Sequence, residues 1–112
     1  MSDLIVSGGE NISPAEVEGV LEAHDEVLEA AVVGRPDEEW GEAVTAVVVR
    51  RAGAAVDAEA LRAHCAALLA GYKVPKHFEL VAGPLPRTGS GKLLRRALRS
   101  GDGAGVGTMA EA

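Results

Sequence analysis

A chain of 112 residues and 11.5 kDa has room for one modest hydrophobic core. Its 47% hydrophobic and 25% charged residues exclude the disordered class, and a single cysteine, Cys65, excludes an intrachain disulfide framework. The net charge of -6 is unevenly spread: residues 1–72 hold 4 basic and 14 acidic side chains, residues 73–99 hold 7 basic and 1 acidic. A positive segment in an acidic chain suits a small anionic ligand such as a nucleotide better than a nucleic-acid backbone, and three aromatics offer no base-stacking platform. No apolar run approaches the roughly 20 residues of a bilayer span, so no membrane span is expected. Met1-Ser2-Asp3 lacks the basic start and apolar stretch of a secretory signal, which makes the cytoplasm the expected compartment.

Leu4-Ile5-Val6 reads as a short strand entering a turn over Ser7 to Asn11, because the Gly8-Gly9 pair supplies the positive φ that tight hairpins need. Ser13 is an N-cap followed by Pro14 at the first helical position and Glu16 three residues on, and Val17, Val20 and Leu21 recur at helical spacing to about His24. Val27–Val33 and Ala43–Val49 are predicted as two long strands of one hairpin around a polar loop, 34–42. Asp57 caps a second amphipathic helix with Leu61, Cys65, Leu68 and Leu69 on one side, ending at Gly71. Phe78–Val81 is a further strand, 87–91 a glycine-rich loop, and Lys92–Arg99 has the spacing of a short basic helix. The glycine-rich residues 101–112 are expected to form a disordered tail behind a single domain of residues 1–100. The order βαββαβα predicts an α+β fold, a small sheet of short hairpins covered by two or three helices.

Gly89-Ser90-Gly91-Lys92 invites comparison with a phosphate-binding P-loop. The pattern fails at Pro86, where the first glycine belongs, and at Leu93, where a magnesium-holding Ser or Thr belongs. What remains is a lysine at the tip of a glycine loop, a compact charge suited to a carboxylate or phosphate oxygen, or simply a solvated side chain. Cys65 and His64 are helix neighbours about 100° apart, which makes no dyad. His24, His64 and His77 lack metal-ligand spacing, so no metal site is expected, and Asp25, Glu26 and Glu29 read as a solvated helix end and loop.

Four ordered stretches carry a resemblance. Asp3 to Glu18, with its Ser-Gly-Gly-Glu-Asn-Ile core, resembles the segment that opens the C-terminal domain of acyl-adenylate-forming enzymes, the acyl-CoA synthetases and their relatives. Gly34 to Glu42 is similar to their central hairpin loop, and Tyr72-Lys73-Val74-Pro75 with Leu85 to Arg96 is similar to their closing signature. The likeness covers residues 3 to 99 in order.

The resemblance implies a mobile C-terminal lid that swings over a large N-terminal domain during a two-step ligation, with ATP, Mg and CoA as the ligands of the complete enzyme and none bound by this domain alone. By position, Lys92 resembles the lysine of the adenylation step and Asp3 the hinge residue. Gly8, Gly9 and Trp40 resemble the residues that line the channel for the pantetheine arm of CoA or of an acyl-carrier thiol. The basic cluster of Lys73, Lys76, Arg87, Arg95 and Arg96 offers contacts to CoA phosphates. The family's large domain has no counterpart in these residues, so the 112-residue chain by itself is expected to be inactive, as a fragment, a split-enzyme subunit or, alternatively, a free-standing CoA- or acyl-carrier-protein-binding module.

Overall fold

The computed structural model describes residues 4 to 99; the expected hinge, Asp3, and the tail over 101–112 lie outside the described residues. Strands β1 (Ile5–Ser7) and β2 (Glu10–Ile12) form an antiparallel hairpin and lead into helix α1 (Pro14–Glu22). The long antiparallel hairpin of β3 (Val27–Asp37) and β4 (Gly41–Arg50) follows, then helix α2 (Ala58–Leu68) and β5 (His77–Val81), which pairs parallel to β4. The path through the sheet is β2-β1-β4-β3, with β5 also bonded to β4, and the whole is the expected α+β architecture.

The two faces of the sheet are covered by different things. Ile12, Val17, Leu21, Leu61 and Cys65 pack with Val32, Val44, Ala46, Val48 and Leu80 to form the larger core under the helices. Ala31, Val33, Val47, Val49 and Val81 point the other way and are covered by Leu85 and Leu98 of the C-terminal segment, with Leu93 beside them. Strands buried on both faces read as continuous apolar runs, which explains Ala43–Val49.

Helix α1 starts as its sequence dictates: Ser13 Oγ accepts the Glu16 N–H at 3.4 Å and Pro14 stands at the first position. The helix also closes the open edge of β3, since Glu22 and Glu18 accept the N–H groups of Ala30 and Val32 at 3.1 and 2.8 Å. Such capping removes a template for unwanted strand pairing. In α2, Asp57 Oδ1 accepts the Ala60 N–H at 2.8 Å. Asp57→Ala is expected to cost about 1 kcal/mol, read as a lower denaturant midpoint at an unchanged slope.

Four expectations are corrected. The stretch 34–42 is mostly ladder: pairing continues from Gly34↔Val44 to Asp37↔Gly41, leaving a turn of only 38–40. Its polar side chains are those of a hairpin tip, and Asp37 Oδ1 closes the turn by accepting the N–H groups of Glu39 and Trp40. Glu10–Ile12 is a strand of its own and not part of the first turn. Helix α2 stops at Leu68, which is 59% exposed, because Leu69 turns extended and takes the core contact instead.

The predicted helix over Lys92–Arg99 is a 3-10 turn at Arg95–Leu98 preceded by an isolated bridge, Arg87↔Leu93. Leu93 and Leu98 both serve the second core, and residues five apart stand about 140° apart on an α-helix. A looser path lets both face the sheet.

Candidate functional site

The Gly8-Gly9 turn and the tip of the β3–β4 hairpin meet. Gly8 and Gly9 have φ of 58° and 83°, the paired left-handed geometry of a two-residue hairpin turn. The Gly8 N–H donates to the Trp40 carbonyl at 2.9 Å, and a Cβ on Gly8 would stand 2.9 Å from Trp40 Cε3. Beside Gly9 the space is open for 4 Å. The two glycines therefore differ: Gly8 admits the indole, whereas Gly9 leaves bare backbone facing outward. Trp40 keeps 37% of its surface exposed, and the Lys76 ammonium lies 4.2 Å from its ring centroid. Val6, which donates to Glu42 Oε1 at 2.8 Å, adds an exposed apolar side chain nearby in sequence. Ser7 is buried, and its Oγ has no hydrogen-bond partner among the described residues.

Lys92 belongs to a different element, the loop between Arg87 and Leu93. That loop is closed by its own backbone: Thr88 N–H donates to the Lys92 carbonyl at 2.8 Å, Gly91 N–H to the Thr88 carbonyl at 2.9 Å, and Lys92 N–H to Thr88 Oγ1 at 3.1 Å. Gly91, at φ 89°, makes the reversal possible. The Lys92 side chain is exposed and its ammonium pairs with no described residue. It borders an open groove of about 440 Å³ that Thr88, Leu93, Arg95 and Arg96 also line.

The other cations of the basic segment are mostly committed. Lys73 is held by Glu16 at 2.9 Å, and that hydrogen bond raises its pKa above the usual lysine value. Arg87 is paired with Glu29 at 2.7 Å and Arg95 with Glu18 at 2.6 Å, while Arg35 joins Glu79 to the Leu98 carbonyl. Glu29, expected as a solvated side chain, is thus a half-buried ion-pair partner; its role depends on residues 56 and 58 positions away and has no local signal.

Cys65 is buried, and burial pushes its thiol up to about 11, a value without nucleophilic use at neutral pH. His64 is engaged with the Val20 carbonyl at 2.7 Å and with the His24 ring. Among the described residues no three His, Cys, Asp or Glu side chains converge as metal ligands, and no helix is long and apolar enough to cross a membrane.

Comparison with known proteins shows what the chain as a whole is similar to. The 2-succinylbenzoate–CoA ligase of Geobacillus kaustophilus is 52% identical over 98 residues, covering 88% of this chain and 20% of that enzyme. The fatty acid–[acyl-carrier-protein] ligase of Streptomyces coeruleorubidus is 46% identical over 99 residues, covering 88% of this chain and 19% of that protein. Among solved structures, o-succinylbenzoate CoA synthetase from Bacillus subtilis in complex with its acyl-adenylate intermediate superposes with a TM-score of 0.83 at 45% identity, over 96% of this chain and 21% of that one. The chain thus spans about a fifth of the length of the curated relatives it matches. The family model for the AMP-binding enzyme C-terminal domain matches residues 16–92, and the chain belongs to that family.

Proposed function

We propose that these residues are the mobile lid of an ATP-dependent acid–thiol ligase. In the first step a substrate carboxylate oxygen attacks the α-phosphorus of ATP, the bond to pyrophosphate breaks, and an acyl-adenylate forms. Lys92 supplies positive charge to the carboxylate and the phosphate oxygens as charge shifts in this in-line displacement, without transferring a proton. Magnesium and the nucleotide are held by the large domain. In the second step a thiol sulfur attacks the acyl carbonyl, AMP leaves, and the thiol proton goes to solvent. The bare backbone at Gly9 and the exposed Trp40 face form one wall of the pantetheine channel, with Asp3 as the hinge that exchanges the two poses. The compartment is the cytoplasm.

The observation that carries this reading is the contrast among cations. Lys73, Arg87 and Arg95 are tied to carboxylates, whereas Lys92 and Arg96, which line one groove, pair with no described residue, and of these two Lys92 stands in the glycine loop. Alone it has no cleft to reach into, so the 112-residue chain is inactive. The test grafts the chain behind the large domain of the Geobacillus kaustophilus ligase, in place of that enzyme's own last fifth. Pyrophosphate release and thioester formation above the level of the large domain alone are expected. No gain in either step, or pyrophosphate exchange by the 112-residue chain unaided, overturns the reading.

The carrier-protein ligase among the relatives favours a second reading for the thiol, the pantetheine of an acyl-carrier protein in place of CoA. Quenching of Trp40 fluorescence by CoA supports the first thiol, and quenching by a phosphopantetheinylated carrier protein alone supports the second. Saturable binding of either by a chain shown to be made at 11.5 kDa would favour a free-standing binding module.

A further inference from the structure

Lys92 sits between two arginines that are each fastened to a carboxylate far away in the sequence. Arg87 donates Nη2–H to Glu29 Oε1 on β3 at 2.7 Å and Nη1–H to the Gly91 carbonyl at 3.1 Å. One guanidinium therefore joins the edge strand to the peptide that leads into Lys92. Glu29 Oε2 also accepts the Leu85 N–H at 3.2 Å, which fixes the chain where it enters the loop. Three residues after Lys92, Arg95 lays Nε and Nη2 on Glu18 of α1 at 2.7 and 2.6 Å. Glu18 is itself anchored: its Oε2 accepts the Val32 N–H at 2.8 Å and its side chain is only 10% exposed.

We infer that Glu29 and Glu18 are positioning residues for Lys92: through Arg87 and Arg95 they clamp both ends of the loop, so that the backbone from which its side chain extends is held in one place. The physical need is plain. A loop containing Gly89 and Gly91 has wide conformational freedom, and a point charge that wanders by about 1 Å can lose on the order of a hundredfold in rate. The planar, bidentate Arg95–Glu18 pair fixes direction as well as distance, and Arg87 divides its two bonds between Glu29 and the Gly91 carbonyl. The inference rests on the proposed role of Lys92, whereas the clamp itself is a property of this chain.

The test measures amide hydrogen exchange in the full 112-residue chain carrying Glu29→Gln, with Glu18→Gln as the second variant. The amides of Thr88 and Leu94, which bond to the Lys92 and Pro86 carbonyls, are expected to exchange about tenfold faster, with Val47 and Leu80 unchanged. In the grafted ligase, Glu29→Gln is expected to lower kcat for pyrophosphate release about tenfold at unchanged KM for ATP. Thioester formation from supplied acyl-adenylate should not change. Unchanged exchange at Thr88 and Leu94 in both variants overturns the clamp, as does equal acceleration at Val47 and Leu80, which marks general destabilisation. If Lys92→Ala abolishes adenylation and Glu29→Gln leaves it intact, only the clamp falls; if Lys92→Ala leaves adenylation intact, the reading of Lys92 falls and the clamp's catalytic purpose with it.

Discussion

Lys92→Ala in the grafted ligase is expected to slow acyl-adenylate formation by about 10²–10³-fold, the size of loss seen when one preorganised donor is taken from a developing charge. The structure separates this effect from folding. The Lys92 side chain is exposed and unpaired among the described residues, and the bonds that close its loop come from backbone atoms and Thr88 Oγ1. Truncating the side chain leaves all of them in place, so the unfolding midpoint should move by no more than about 0.5 kcal/mol equivalent. Lys92→Arg should recover only part of the rate, because a planar fork on a longer arm does not put its charge where a compact ammonium does. Thioester formation from supplied acyl-adenylate should be unaffected by either change. Pyrophosphate release, followed in single turnover, is the deciding measurement, and a rate within twofold of the parent's removes Lys92 from the mechanism.

What the sequence makes legible here follows from how far apart the cooperating residues are. Ser13 with Pro14, Asp57, and the Gly8-Gly9 pair act within a few positions of themselves, and each appears in the structure where the pattern puts it. The long hairpin is legible in its apolar middle and not at its tip, because pairing at 34–37 and 41–42 is carried by backbone, while Arg35 and Glu42 find their partners, Glu79 and the Val6 N–H, far away in sequence. The segment after Gly91 misleads for a different reason. Its leucines have nearly helical spacing, but the second core draws both Leu93 and Leu98 down and the ion pair to Glu18 claims Arg95, so tertiary demands replace the helix with a bridge and a 3-10 turn. Glu18 illustrates the limit most clearly. On α1 it looks like a charge on a solvated face, yet it is 8% exposed, caps the β3 edge and holds an arginine 77 positions along the chain.

Gly8→Ala is expected to be the more damaging of two similar changes in the first turn. At both Gly8 and Gly9 the backbone is left-handed, so an L side chain costs about 1 kcal/mol at either position. Only at Gly8 does the added Cβ also come within 2.9 Å of the Trp40 ring, whose edge must then shift or the turn must open. Strain and lost packing together should bring Gly8→Ala to about 2–3 kcal/mol, against about 1 kcal/mol for Gly9→Ala, read from guanidinium unfolding. The functional consequences should diverge in the same way. Displacing the indole disturbs the wall proposed for the pantetheine arm and its contact with Lys76, so Gly8→Ala in the grafted ligase should slow thioester formation at saturating acyl-adenylate while leaving pyrophosphate release near the parent's rate. A shift in Trp40 emission should accompany it, because the ring is already 37% exposed and any movement changes its contact with water. Equal loss in both half-reactions would mean that Gly8 serves the fold alone, and a Gly9→Ala effect larger than that of Gly8→Ala would place the critical backbone surface one residue further along the turn.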